Sequence, residues 1–416
     1  MAQSIRHASA TKPRIYPWDA SVSADDFDRV QSFGMGNTQP FEFLYELGRL
    51  DKMDVNLDIP ETSLSVPQLE HDSIASYLVL ANKSALPAGG LQLSDYSSAF
   101  VDIISVGKEA FGEAVEQTLW LPKLTVDSIT IGIADAEARI ERSFEFSGDD
   151  YRIVRYGNKY VIHDVTTVPS GYSASSYEIT LNDPEPAANP NLSGTYLYRV
   201  TRKRGSTITE LTRGTDYTYT NATNVLDILS ATSDDIIEAS YTAAAWSAAG
   251  DPTSVNDTDS YKINADSVTV TLESADQAVE VELDKLTALN IVATLNRIDE
   301  AVIGKKAKEL KEVQDYSVNI TLDGRVKDAT LEEVLMGKAG LNWPVVDVDN
   351  FATDLVMRMK VYSDETKTTF LHGYKVTGLF YSDTARDANA NEFWAKGVTL
   401  QSDNLKISDV LVDITG

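Results

Sequence analysis

Apolar and polar residues alternate one by one over several short stretches of this chain. Val55, Leu57 and Ile59 alternate with Asn56 and Asp58, the period of a strand with one buried face. Ile129, Ile131 and Ile133 repeat the pattern, then Ile140, Phe144 and Phe146. Much later Val318, Ile320 and Leu322 alternate with Asn319 and Thr321. Polar turns separate the runs, so the pattern predicts a mainly β protein. Helical spacing is sparser. The stretch TLEEVLMGKAG at 330–340 opens on a threonine N-cap, carries glutamates in its first turn and stops at glycine, which predicts a short helix. Two further stretches, 97–117 and 284–302, mix helical spacing with β-branched residues, and the pattern leaves them open.

The strand pattern occurs twice. ELGRLDKMDVNL at 46–57 parallels ELKEVQDYSVNI at 309–320 without a gap: Leu50 falls on Val313, Met53 on Tyr316 and VNL on VNI. Each segment enters a polar turn and then a leucine-bearing stretch. Each copy closes on a similar hairpin, 126–150 in the first and 376–404 in the second, with FEFSGDD at 144–150 matching VTLQSDN at 398–404. Matched segments in the same order predict a tandem duplication. The material between differs. From about 156 to 242 the chain is rich in Thr, Ser, Tyr and Asn, with turns at Gly205, Gly214 and the pair Asp234, Asp235. That predicts a small inserted β-sandwich, joined by a small-residue linker to the second copy. The expected division is a first domain with an N-terminal arm at 1–155, an insert and linker at 156–260, and a second domain at 261–416.

Composition narrows the function classes. The 416 residues are 43% hydrophobic and 24% charged, and the net charge is −27. So acidic a chain repels phosphate and does not hold nucleic acid by its overall field. No apolar run reaches a membrane-spanning length, and the N-terminus has no apolar signal core. Cysteine is absent, which excludes disulfides and thiol chemistry. His7, His71, His163 and His372 are scattered and are expected in loops or at the surface. DVDNFATD at 347–354 has only part of a calcium loop, lacking its glycine and closing glutamate. RVTRKRG at 199–205 is the one basic cluster and is expected to be a charged edge that blocks strand pairing. No nucleophile elbow, zinc-protease helix, phosphate loop or dinucleotide fingerprint is present. The expectation is therefore a non-enzymatic protein without cofactor or metal.

The hairpin VDSITIGIADAEARIERSFEFSGDD at 126–150 resembles the hairpin of phage-type tail tube proteins. GKKAKELKEVQDYSVNITLDGRVKDATLEEVLMGKAG at 304–340 is similar to that family's opening of strand, crossing strand and short helix. The resemblance covers about 31–150 and 276–404. LTRGTDYTYT and IIEASYT within the insert are similar to immunoglobulin-like decoration modules of phage virion proteins. What the resemblance implies is two tandem tail-tube-type β-barrel or sandwich domains, each with a flanking helix, plus an inserted immunoglobulin-like β-sandwich. It implies a major tail tube protein of a bacteriophage or archaeal tailed virus, assembled in the host cytoplasm and residing in the virion tail. It implies as partners the chain itself, the tape measure, the tail terminator and a baseplate or tip, with no membrane contact. Family rings hold six tube domains, so a duplicated chain implies homotrimeric, pseudo-hexameric rings stacked around a lumen through which DNA passes without specific binding. The residues opposite the apolar face then become lumen candidates: Asp54, Asn56, Asp58 and Glu145 in the first copy, Ser317, Asn319 and Thr321 in the second. A surface adhesin or surface-layer protein of β-sandwiches is the alternative.

Overall fold

The computed structural model describes residues 11–27, 29–38, 41–45, 52–57, 61–70, 73–108, 115–135, 138–155, 160–181, 197–220, 223–243, 263–274, 279–283, 286–301, 308–325, 334–335, 354–387 and 395–415. The first copy contains β1 (Thr11–Pro17), β2 (Asp25–Asp26), β3 (Gly34–Thr38), β4 (Phe41–Tyr45), β5 (Lys52–Leu57), β6 (Glu61–Leu69), α1 (Ala75–Leu80), β7 (Leu91–Gln92), β8 (Val101–Lys108), β9 (Val115–Ile133), β10 (Ile140–Gly148) and β11 (Arg152–Arg155). The insert holds β12 (Tyr160–Thr167), β13 (Tyr177–Thr180), β14 (Leu197–Arg204), β15 (Thr207–Glu210), β16 (Tyr217–Thr220), β17 (Val225–Ile228) and β18 (Ile236–Ala243). The second copy holds β19 (Val268–Ser274), β20 (Val279–Glu282), β21 (Leu286–Ala301), β22 (Lys308–Arg325), β23 (Leu355–Tyr362), β24 (Phe370–Asp387), β25 (Ala395–Ser402), β26 (Leu405–Ser408) and the C-terminal helix α2 (Leu411–Thr415). The chain is mainly β and its sheets are antiparallel.

The two copies make the same pairings. β1 lies between β2 and β8, as β19 lies between β20 and β23. β9 pairs with β8, β10 and β11, as β24 pairs with β23, β25 and β26. β6 joins β10 to β3, as β22 joins β25 to β21. Even the irregularities recur. The β8–β9 ladder slips between Val101 and Ile103, and β23–β24 slips between Leu355 and Met357. β9 bulges at Asp127 beside Glu145 and Phe146, and β24 bulges at Ser382 between Tyr381 and Asp383. Bulges re-aim a strand at fixed positions, so their repetition marks one architecture used twice. Where β9 crosses from one sheet to the next, Lys123 has φ 54; at the matching point of β24, Gly378 has φ 64. Both bends need the left-handed backbone that glycine adopts without strain.

The register sets the equivalence of the copies and corrects the ungapped match. Phe144 corresponds to Val398, Leu64 to Ile320 and Leu57 to Val313, through their shared partners. Leu57 therefore does not correspond to Ile320, as the VNL and VNI triplets suggested. The open stretch 284–302 holds strand β21, and 97–117 holds β8 and the first residues of β9. Of the helix expected at 330–340, Val334 and Leu335 are helical and buried, and the rest lies outside the described residues.

One hydrophobic core runs through both copies, from Ile15 and Leu64 through Ile129 and Ile131 to Ile291, Ile320 and Leu400. The insert folds as two sheets, β12-β18-β14-β15 and β13-β17-β16, around its own core of Val200, Leu226, Ile237 and Tyr241. Among the described residues no helix is long and apolar enough to cross a membrane.

Candidate assembly interface and polar sheet face

The copies meet edge to edge. The second half of β9 pairs with β21, with Ser128 opposite Thr294, Ile131 opposite Ile291 and Ile133 opposite Leu289. This pairing fuses two sheets into one run, in the order β3-β6-β10-β9-β21-β22-β25-β24. A second contact lies beside it, where β26 of the second copy pairs with β7 of the first, Ile407 opposite Leu91. Gly90, at φ +86, lets β7 approach: a Cβ there would stand 2.8 Å from the Ile407 carbonyl. Arg297 fastens the junction by donating to the carbonyls of Ser97 at 2.8 Å and Tyr96 at 3.0 Å.

Beneath this junction lies a buried polar cluster drawn from both copies. Arg142 on β10 donates to Glu70 Oε1 at 3.0 Å and to Gln68 Oε1 at 3.1 Å. Tyr374 on β24 donates to Glu70 Oε2 at 2.8 Å and lies 3.0 Å from the Tyr77 hydroxyl of α1. His372 Nε2 lies 3.4 Å from Glu70 Oε1. Burial alone would raise the Glu70 carboxyl, but the Arg142 charge and the surrounding donors outweigh it and hold the group at about 2. Burial, reinforced by the Glu70 charge, raises the Tyr374 hydroxyl well above its ordinary value. A charged pair shut away from water is costly unless its hydrogen bonds are made, and Tyr374 of the second copy supplies one of those to Glu70 of the first. His372, expected in a loop or at the surface, is fully buried here, with its Nε2 toward Glu70.

The fused sheet has two unlike faces. Val66, Phe144, Ile129, Ala293 and Val318 form one buried row across it. The neighbouring rows point the other way. One reads Gly34, Ser65, Glu145, Ser128, Thr294, Ser317. The next reads Pro67, Ser143, Thr130, Val292, Asn319, Gln401, and a third reads Glu141, Gly132, Asn290, Thr321, Thr399. Among these named positions the charges are carboxylates, with no lysine or arginine. Ser65 donates to Glu145 at 2.6 Å, which holds that carboxylate in the row. The lumen candidates Glu145, Ser317, Asn319 and Thr321 thus share one face of one sheet. Asp54 and Asn56 lie on β5, which pairs with β4 in a separate hairpin, and Asp58 lies outside the described residues.

The insert is seated on the first copy by buried charge. Asp102 on β8 is fully buried and accepts from Trp18 Nε1 at 2.8 Å, Trp120 Nε1 at 3.0 Å, the Lys123 amide at 2.9 Å and Arg199 Nη1 at 2.6 Å. Arg199 also donates to Glu238 at 3.1 Å and stacks on Trp18. His163 Nδ1 lies 2.7 Å from Glu238, and its ring stacks on Tyr16. Lys203 reaches both oxygens of Asp19 at 2.6 Å. Burial would raise the Asp102 carboxyl, and the Arg199 charge, with the hydrogen bonds donated by Arg199 and the Lys123 amide, holds it below its ordinary value. The basic cluster is therefore not a charged edge. β14 lies between β18 and β15, and its arginine and lysine dock the insert. His163, expected in a loop or at the surface, has a side chain only 2% exposed. A basic run followed by polar strands carries no mark of its partner; the separated Trp18, Asp102 and Trp120 become one site only when β1, β8 and β9 pair.

His7, His71 and most of the partial calcium loop at 347–354 lie outside the described residues. Among the described residues no group of His, Cys, Asp and Glu is placed to hold a metal ion. No family model and no curated protein matches the chain. Solved structures do show similarity. A chain of the anti-feeding prophage baseplate matches at 14% identity, over 37% of this chain and 97% of its own, with a TM-score of 0.28. A chain of the anti-feeding prophage tube-terminating cap matches at 19% identity, over 39% and 98%, with a TM-score of 0.26. A chain of the sheath–tube complex of an extracellular contractile injection system, in its extended state, matches at 16% identity, over 39% and 100%, with a TM-score of 0.26.

Proposed function

We propose that the protein is a structural subunit of a phage-like tail, a tube protein that polymerises into stacked rings around a DNA-conducting lumen. The observation that carries this reading is the fused sheet. Two copies of one architecture lie side by side with their polar rows aligned, and the named positions of those rows are mostly hydroxyls, amides and carboxylates, interrupted by glycines, Pro67 and Val292, without a cation. Such a wall lets a polyanion slide past, since no phosphate is bound and no counterion is released. Glu145, Ser317, Asn319 and Thr321 line it in this reading. The insert points outward as a decoration held by the Asp102–Arg199 lock. Three chains supply the copies for a pseudo-sixfold ring, and further tail proteins cap its ends.

Electron microscopy of the purified protein tests the reading. Rings or tubes with a central pore are the expected result, with no retention of duplex DNA in filter binding at low salt. Sheets or lattices without a pore would favour a surface-layer role instead, and tight salt-sensitive DNA binding would remove the passive lumen.

A further inference from the structure

The junction between the copies appears once complete within the chain and once as two unfilled halves. The second half of β9 has β10 on one side and β21 on the other. Its counterpart, the second half of β24, has β25 on one side and, among the described residues, no strand on the other. The counterpart of the first half of β21 is β3, which has β6 on one side and likewise no described strand on the other. These two edges lie at opposite ends of the fused run, so one chain cannot join them within the same sheet run.

We infer that β24 of one chain pairs antiparallel with β3 of the next copy, in the register that the β9–β21 junction dictates. Asp383 corresponds to Ser128 and Thr38 to Thr294. The seam therefore places Asp383 opposite Thr38, Ala385 opposite Gly36 and Asp387 opposite Gly34 of the neighbouring copy. The occupant is a second copy of this chain, because the internal junction is already a working example of that pairing. Side-chain burial points the same way. Met35 on β3 is 39% exposed, whereas its counterpart Ile291, covered by β9, is 0% exposed. Ile153 on β11 is 38% exposed, whereas its counterpart Ile407, covered by β7, is 1% exposed. Both exposed residues lie on the side of the first copy that would receive a preceding chain, and both counterparts are buried by a preceding copy. All five residues of β3 are exposed. The seam is heterologous and head-to-tail, so it propagates into a ring or a filament. The tube reading is needed only for closure at three chains.

The absence of native cysteine makes the register directly testable. The double variant Thr38→Cys with Asp383→Cys brings two thiols together across the seam, at the separation of a directly opposed antiparallel pair. The double variant Thr38→Cys with Asp387→Cys moves one thiol about 13 Å along the strand. Oxidation, or a short thiol–thiol reagent, should give covalent dimers and closed trimers in the first variant at several-fold higher yield than in the second. Each single variant should give none of the closed species. Equal, low yields in both double variants, in protein that still forms pored rings, would place the seam elsewhere and leave the tube reading standing. Selective cross-linking in protein without pored rings would keep the seam and remove the tube. Protein that stays monomeric throughout overturns both.

Discussion

Replacing Glu70 by glutamine tests whether the buried cluster between the copies sets their stability, and the effect depends on pH in a defined direction. The folded carboxyl titrates at about 2 against an ordinary 4.5. At 1.36 kcal/mol per unit, that difference corresponds to roughly 3 kcal/mol of stabilisation. A carboxyl whose folded value lies below its unfolded value stabilises fully above the unfolded value and loses that contribution as pH falls toward the folded one. By about pH 3, some 2 kcal/mol of it is gone. Glu70→Gln keeps the shape but removes the charge nearest the Arg142 guanidinium, 0% exposed, a change expected to destabilise by about 3–5 kcal/mol near neutral pH. The gap between wild type and variant should therefore be widest near pH 7 and close by about 2 kcal/mol near pH 3. Urea unfolding followed by far-UV circular dichroism at both pH values measures it. A gap that stays constant with pH, or one below about 1 kcal/mol near pH 7, would refute the assignment of Glu70 as the charged partner of Arg142.

Three other outcomes are expected. Arg199→Met should destabilise the docked insert by about 3–5 kcal/mol, because Asp102 stays buried without its cation, while adding Asp102→Asn should recover much of the loss; unfolding followed by tryptophan emission reads this, since Trp18 and Trp120 both donate to Asp102. Gly90→Ala should lower stability by about 1–3 kcal/mol, as the residue is forced to φ +86 with its Cβ against the Ile407 carbonyl; thermal melting checks it, and hydrogen exchange should rise at β26. Gly378→Ala should destabilise by about 1 kcal/mol or more through its left-handed backbone, whereas Lys123→Gly, at the matching bend, should recover backbone strain while losing the contacts of its ammonium with Trp18 and Phe100, so its melting shift should be the smaller.

The β architecture and its repetition are legible in the sequence because a strand with one buried face writes its period into neighbouring residues. Ile129, Ile131 and Ile133 read correctly for that reason, and so do Val318, Ile320 and Leu322. Register is not legible in the same way. A period of two looks alike at every second residue, and the bulge at Gln314 of β22 absorbs an odd step, so VNL at 55–57 slid onto VNI at 318–320 although the pairing makes Val313 the counterpart of Leu57. The stretch 284–302 could not be assigned because Val292 and Ala293 blur its contrast: the alternation is kept in burial, but an apolar valine takes a place on the polar face and a small alanine one in the core. The polar face was partly legible, since Glu145, Ser317, Asn319 and Thr321 come from clean alternation. The docking lock was not legible. Arg199 is drawn inward by Asp102 and Glu238, partners 97 and 39 positions away, and no local pattern announces that distance.

Duplication changes the edge problem that every open sheet carries. A single copy of this architecture would present one edge of the β9 kind and one of the β3 kind, each a template for another chain. Joining two copies in one chain satisfies one such pair permanently and leaves one of each kind at opposite ends. The remaining edges are not equal to those they replace. β21 brings Asn290 and Val292 to its junction, while β3 brings Gly34 and Gly36 at the corresponding positions. A short, glycine-rich edge with Asn37 and Thr38 is a poor template for arbitrary strands, and the −27 net charge keeps chains apart in dilute solution. The internal junction also carries the Arg297 clamp and the Glu70–Arg142–Tyr374 cluster. In the proposed assembly the seam between chains is therefore the weaker of two related contacts, with the fused pair the unit that persists and the seam the step that decides assembly.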